Sequence, residues 1–197
     1  MTQATAQIRW TIHDLEVLPQ SEGTRYEIID GELFVTRSPH RRHQQAAGRV
    51  FAALDTWSAE TGLGEAIPAP GIVVSDADSV IPDVAWVSNE RLALIEDEAG
   101  HLTDFPELVV EVLSPGPNNI RRDCLGHGCT EREAKLKLYS IRGVQEYWIC
   151  DRFTRQVEVY RRQAAQLVLS ATLLDQDALT SPLLPGFSCQ VEHLFSR

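Results

Sequence analysis

Residues 105–116 read FPELVVEVLSPG, in which Leu108, Val109, Val110, Val112 and Leu113 form an apolar run broken only by Glu111. A strand with one wet face alternates apolar and polar residues; a run apolar at both parities marks a central strand covered on both faces. An unpaired carboxylate inside such a strand is costly. The chain therefore needs a layered sheet and a compensating charge for Glu111.

The flanking sequence supplies the other elements. Thr11 and Asp14 resemble a helix start, and Ile12, Leu15 and Leu18 make a short apolar stripe that Pro19 ends. RYEIIDGELFV predicts a hairpin, its Asp30-Gly31 pair supplying the positive φ values of a type I′ turn. Ala46, Ala47, Val50, Phe51, Leu54 and Trp57 recur at helical spacing, which predicts a long helix over residues 42–60 ended by Gly62. GEAIPAPGIVVS and VIPDVAWV predict two or three strands. EREAKLKLYSIRGV predicts a helix with Ala134, Leu138 and Ile141 on one stripe, QEYWICD, RQVEVYRR and QLVLSATLL predict strands, and CQVEHLF a short closing helix. The order predicts one α/β or α+β domain over residues 1–197, built around a mixed β-sheet flanked by helices.

Composition narrows the class. Apolar residues make up 43% and charged residues 23%, as in ordinary globular proteins, and no apolar run approaches the roughly 18 residues of a membrane span. The opening MTQATAQIRW lacks the pattern of a secretion signal, so a cytoplasmic, membrane-free protein is expected, with Cys124, Cys129, Cys150 and Cys189 as reduced thiols. A net charge of −10 argues against coating nucleic acid by bulk attraction. The distribution says more. Residues 72–111 hold ten acids against one arginine, whereas residues 120–162 hold ten basic residues against six acids. That order suits a metal site beside a phosphate-binding surface, or two solvated faces.

Asp83 opens DVAWV and Glu111 lies in the next strong strand, so the two carboxylates meet if these strands pair. Two carboxylates completed by water and substrate phosphate are what Mg²⁺ prefers. The chain has only two lysines, Lys135 and Lys137, both in the helix after that strand, where one could steady charge on a phosphoryl group. Periodicity does not choose between them, since each flanks the apolar stripe, and both have i,i+4 glutamates (Glu131, Glu133) that suit a solvated helix face.

In order, HDLEVLP, RYEIIDGELF, SPHRRHQQ, IPDVAWV, LVVEVLSPG, KLKLY and GVQEYWICD resemble the Uma2 family, a branch of the PD-(D/E)XK nuclease superfamily, over residues 10–195. The resemblance implies a restriction-endonuclease-like core and metal-dependent endonucleolytic hydrolysis of DNA. It puts Asp83 at the PD position and Glu111 at the strand acid. The superfamily lysine two residues after that acid is Leu113 here; the Uma2-like pattern moves it to the helix, four residues before Tyr139, which selects Lys135. Glu27 and His43 match accessory positions. The implied mechanism has Mg²⁺ or Mn²⁺ held by Asp83, Glu111 and the backbone carbonyl of Val112, activating water while Lys135 orients it or neutralises developing charge. Arg121, Arg122 and Lys137 are the expected DNA-backbone contacts. The acidic total predicts weak, salt-sensitive binding unless a homodimer doubles the basic surface.

One departure stands out. CLGHGCTE, at residues 124–131, is inserted before the lysine helix. A displaced helix would leave a nuclease fold that binds or assembles without catalysis. Cys124, His127 and Cys129 within the insertion suggest a weaker third reading, a zinc-stabilised domain, although no second CxxC completes tetrahedral coordination.

Overall fold

Asp30 and Gly31 take φ values of 50° and 72°, as a type I′ turn requires, and join β1 (Thr24–Ile29) to β2 (Glu32–Arg37). The structure is a computed structural model and describes residues 8–19, 23–37, 40–114 and 130–196. The hairpin is preceded by α1 (Ile12–Leu15), shorter than the stripe through Leu18 suggested. After it comes α2 (Arg41–Thr61), whose C-cap Gly62 adopts the left-handed conformation at φ 67°.

The stretch expected to hold two or three strands holds four: β3 (Gly64–Pro68), β4 (Ile72–Ser75), β5 (Asp78–Val80) and β6 (Val84–Ser88). A short helix not anticipated from the sequence, α3 (Asn89–Ile95), starts where the Ser88 hydroxyl accepts from the Arg91 amide. Next come β7 (Leu108–Val112) and α4 (Glu131–Ile141), the latter opened by a Thr130–Glu133 capping box. β8 (Glu146–Asp151), β9 (Gln156–Gln163) and β10 (Gln166–Leu174) form as predicted. Two further strands, β11 (Ala178–Ser181) and β12 (Leu184–Gln190), precede α5 (Val191–Phe195); Cys189 and Gln190, assigned from sequence to the closing helix, end β12 instead.

The strands build three sheets. Six form the central one, in the order β10-β9-β8-β7-β6-β3, with β7 and β8 parallel and the other neighbours antiparallel. A four-stranded sheet runs β2-β1-β5-β4, and β11 pairs with β12. The apolar run of β7 is explained by two cores. Leu108, Val110 and Val112 pack with Ala46, Val50 and Leu54 of α2, while Val109 packs with Ala134, Leu138 and Tyr139 of α4. Each such fully buried aliphatic contributes about 1.5–3 kcal/mol. The aromatic residues Trp148, Tyr147 and Tyr160 are buried in these cores. The mixed, helix-flanked sheet matches the predicted fold class.

Candidate active site

Asp83 stands one residue before β6, and Glu111 is the second-last residue of β7. In the antiparallel β6–β7 ladder Val84 faces Val110, so continuing the register by one step brings Asp83 alongside Glu111. The junction is fastened by the Val112 amide, which donates to Asp83 Oδ2 at 2.8 Å. On the α2 side, His43 Nε2 lies 3.1 Å from Asp83 Oδ2; from β1, Arg25 Nη1 lies 3.5 Å from Oδ1.

Glu111 turns toward α4. Its Oε1 accepts from Lys135 Nζ at 2.9 Å and from the Tyr139 hydroxyl at 3.0 Å. The same ammonium reaches Glu27 Oε2 at 3.0 Å and Glu131 Oε1 at 3.3 Å. Local geometry explains this convergence. Glu131, Lys135 and Tyr139 recur every four residues and share one face of α4, whereas Lys137 is rotated about 200° away from Lys135. Arg25 and Glu27, two apart on β1, project to one side of that strand, and Glu27 Oε1 is anchored by the Ile81 amide at 2.8 Å.

The electrostatics separate the two central acids. Four carboxylates, Glu27, Asp83, Glu111 and Glu131, face two permanent cations, Lys135 and Arg25. Burial, reinforced by the charges of Asp83 and Glu27, pushes Glu111 up to about 8 even though Lys135 pulls the other way. Burial also works against ionised Asp83, but the hydrogen bond and charge of His43, together with the Val112 amide, hold it below the ordinary carboxylate range. Burial disfavours the Lys135 ammonium, yet Glu111 and Glu27 outweigh it and raise its pKa well above the usual lysine value. Burial and the Glu111 charge likewise keep the Tyr139 phenol protonated, so that it donates.

A buried acid-rich cluster with one carboxylate held ionised suits a divalent cation, whose charge would offset the surplus. Among the described residues no three His, Cys, Asp or Glu side chains gather as a metal cluster. An ion at Asp83 and Glu111 would have to draw its remaining ligands from water and substrate oxygens, as Mg²⁺ commonly does.

The model of the Uma2 family, described as a putative restriction endonuclease, matches residues 12–192. The chain belongs to the Uma2 family. The crystal structure of a putative nuclease belonging to DUF820, from Anabaena variabilis, superposes with a TM-score of 0.70 at 19% identity, covering 94% of this chain and 97% of that one. At that identity the likeness establishes the shared fold. The type IIG restriction endonuclease BpuSI is a more distant match, with a TM-score of 0.37 at 14% identity over 76% of this chain and 15% of that one. No curated protein matches the sequence.

Of the residues singled out for this Uma2 chain, Asp83, Glu111, Lys135, Glu27 and His43 come together in one network. Val112 contributes its amide to that network. Lys137 stands apart, exposed on the opposite flank of α4 and 3.8 Å from Asp30. Arg121, Arg122, Cys124, His127 and Cys129 lie outside the described residues. Sequence reasoning passed over two participants. Tyr139 is four residues beyond Lys135 and Arg25 two before Glu27, so helix and strand periods applied outward from the assigned residues would have found both.

Proposed function

We propose that this Uma2 protein is a metal-dependent endonuclease that hydrolyses DNA phosphodiesters. Family and fold point to a restriction-type nuclease. The observation that carries the finer reading is the meeting of Asp83 and Glu111 at adjacent strand ends, with Lys135 Nζ 2.9 Å from Glu111.

In this reading Asp83 and Glu111, with the Val112 carbonyl, would hold Mg²⁺ or Mn²⁺. A bound divalent ion supplies Lewis-acid polarisation of the phosphate and a more acidic water. The protein's own groups do the rest. His43 and the Val112 amide fix the Asp83 carboxylate in its ionised form. Tyr139 fixes the orientation of Glu111. Lys135, kept charged by Glu27 and Glu111, offers an N–H donor to an attacking water or to charge developing on a phosphoryl oxygen. Glu27 thus acts mainly by positioning Lys135. Arg121, Arg122 and Lys137 remain assigned to the DNA backbone by charge alone. Function in the cytoplasm, where DNA and Mg²⁺ are both accessible, and pairing into a homodimer that extends the basic surface belong to the same reading.

A second reading, a nuclease fold that binds or assembles without hydrolysis, is favoured by one observation: the Lys135 ammonium itself bridges Glu27 and Glu111, neutralising acids a cation would otherwise need to neutralise. Plasmid cleavage in Mg²⁺ and Mn²⁺ separates the two. The nuclease reading expects cleavage by the parent protein and its loss in Asp83→Ala; cleavage that persists unchanged in that variant contradicts it.

A further inference from the structure

Beside the first half of α2 lies a recess of about 410 Å³, walled by α2, the β8–β9 turn and α5. Five arginines line it, Arg41, Arg42, Arg49, Arg152 and Arg155, and among the described residues no carboxylate does. In a chain of net charge −10 this is a pronounced local inversion of sign. Little of that charge is neutralised. Arg155 Nε is 2.7 Å from Asp175 and Arg49 donates to the Ser196 carbonyl, but among the described residues no ion pair engages Arg41, Arg42 or Arg152. The Arg152 guanidinium lies 3.9 Å over the Phe153 ring, which presets its orientation, and its buried Nε has no hydrogen-bond partner among the described residues.

The recess is tied to the acid site through two elements. Arg42, Gln45, Ala46 and Arg49 follow i, i+3, i+4, i+7 spacing, one stripe of α2, with the small Ala46 at its floor. Arg42 immediately precedes His43, which holds Asp83. On the other wall, Arg152 comes directly after β8, and Cys150 of β8 is in register with Val112 of β7. The parallel strands β7 and β8 therefore deliver Glu111 and Arg152 to the same end of the sheet. Unpaired guanidiniums in a fork geometry are the usual partners of phosphate oxygens.

We propose that this arginine-lined recess grips the phosphate backbone of a DNA duplex beside the acid site. The identity of the polymer rests on the nuclease reading above, whereas the anionic chemistry of the ligand rests on the recess itself.

The test is fluorescence anisotropy of a short labelled duplex across a salt series, in EDTA so that no hydrolysis intervenes. Arg42→Ala/Arg152→Ala should weaken binding at least about tenfold at low salt and reduce the slope of log affinity against log salt by about two. Unchanged thermal melting checks the fold. Arg41→Ala/Arg42→Ala, at two exposed positions, gives the same reading if the first variant is unstable. Binding within about twofold of the parent in a folded variant, no binding by the parent, or displacement of the duplex by a deoxynucleoside monophosphate at comparable concentration would each overturn the proposal. The two readings fail separately. Recess-dependent binding by a protein that cleaves nothing would remove hydrolysis alone, while Asp83-dependent cleavage with binding indifferent to the arginines would remove the recess alone.

Discussion

The acid cluster and the arginine recess meet at consecutive residues of α2, yet they are built on opposite principles. Around His43 the charges are buried and cross-paired: Lys135 alone contacts three carboxylates with its side chain only 4% exposed. Around Arg42 the charges share one sign, Arg41 and Arg42 are exposed, and among the described residues only Arg155 of the five is in an ion pair. A buried cation held by several acids is part of the structure, because its removal strands those acids in a poor dielectric. An exposed guanidinium is dispensable to folding and available to a ligand. The net charge of −10 averages over this division, which is why it is a poor guide to what the surface can bind.

The largest expected contrast comes from deleting one cation on each side. Lys135→Met should destabilise the protein by about 3–5 kcal/mol, lowering Tm by roughly 10 °C, because Glu27, Glu111 and Glu131 lose their shared partner. Arg42→Ala should change stability by less than about 0.5 kcal/mol. Thermal melting of both variants checks the pair, and equal losses would erase the distinction.

pH offers a subtler contrast. Glu111 is pushed up to about 8 from an ordinary value of 4.5, so between these values the folded protein retains a proton that the unfolded chain has released. Its contribution to stability therefore falls as pH rises through that window, by up to about 1.4 kcal/mol per pH unit in metal-free protein. Asp83, held low, acts with the opposite sign: its contribution is present above pH 3.8 and is lost as pH falls through the lowered value. Denaturant unfolding at a series of pH values should show a shallower decline from pH 5 to 8 in Glu111→Gln. Arginines, which stay protonated, add no such slope. The smallest effect is expected at Lys137→Ala, within about 0.5 kcal/mol of the parent in the same unfolding assay, because that lysine is 66% exposed.

Much of this organisation was legible in the residues themselves. The Asp30-Gly31 turn, the long α2 stripe, the doubly apolar β7 and the capped α4 each carry a clear period or a strong stop signal, and each formed close to where predicted. The misses have physical causes. NERLALI is only seven residues long, too short for a helical period to stand out before Ser88 caps it. In β12, Pro185 and Gly186, the latter at φ 80°, interrupt the alternation that announces a strand. At the site, Asp83 and Glu111 could be paired by motif, but α4 alone offered Lys135 and Lys137 equally. The Uma2 resemblance selects Lys135, the lysine to which β1 brings Glu27 within 3.0 Å from more than a hundred residues away in the chain. The recess was invisible for the same reason: Arg42 and Arg152 become neighbours only when α2 and the β8–β9 turn are packed together.

The most direct measurement is calorimetric titration of the metal-free protein with Mn²⁺, run in parallel on Asp83→Asn and Glu111→Gln. If the carboxylates of Asp83, just before β6, and Glu111 of β7 share one ion, the parent should bind Mn²⁺ and each variant should lose that binding while melting as a folded protein. Mn²⁺ binding of equal strength in all three, or none in the parent, would contradict the account.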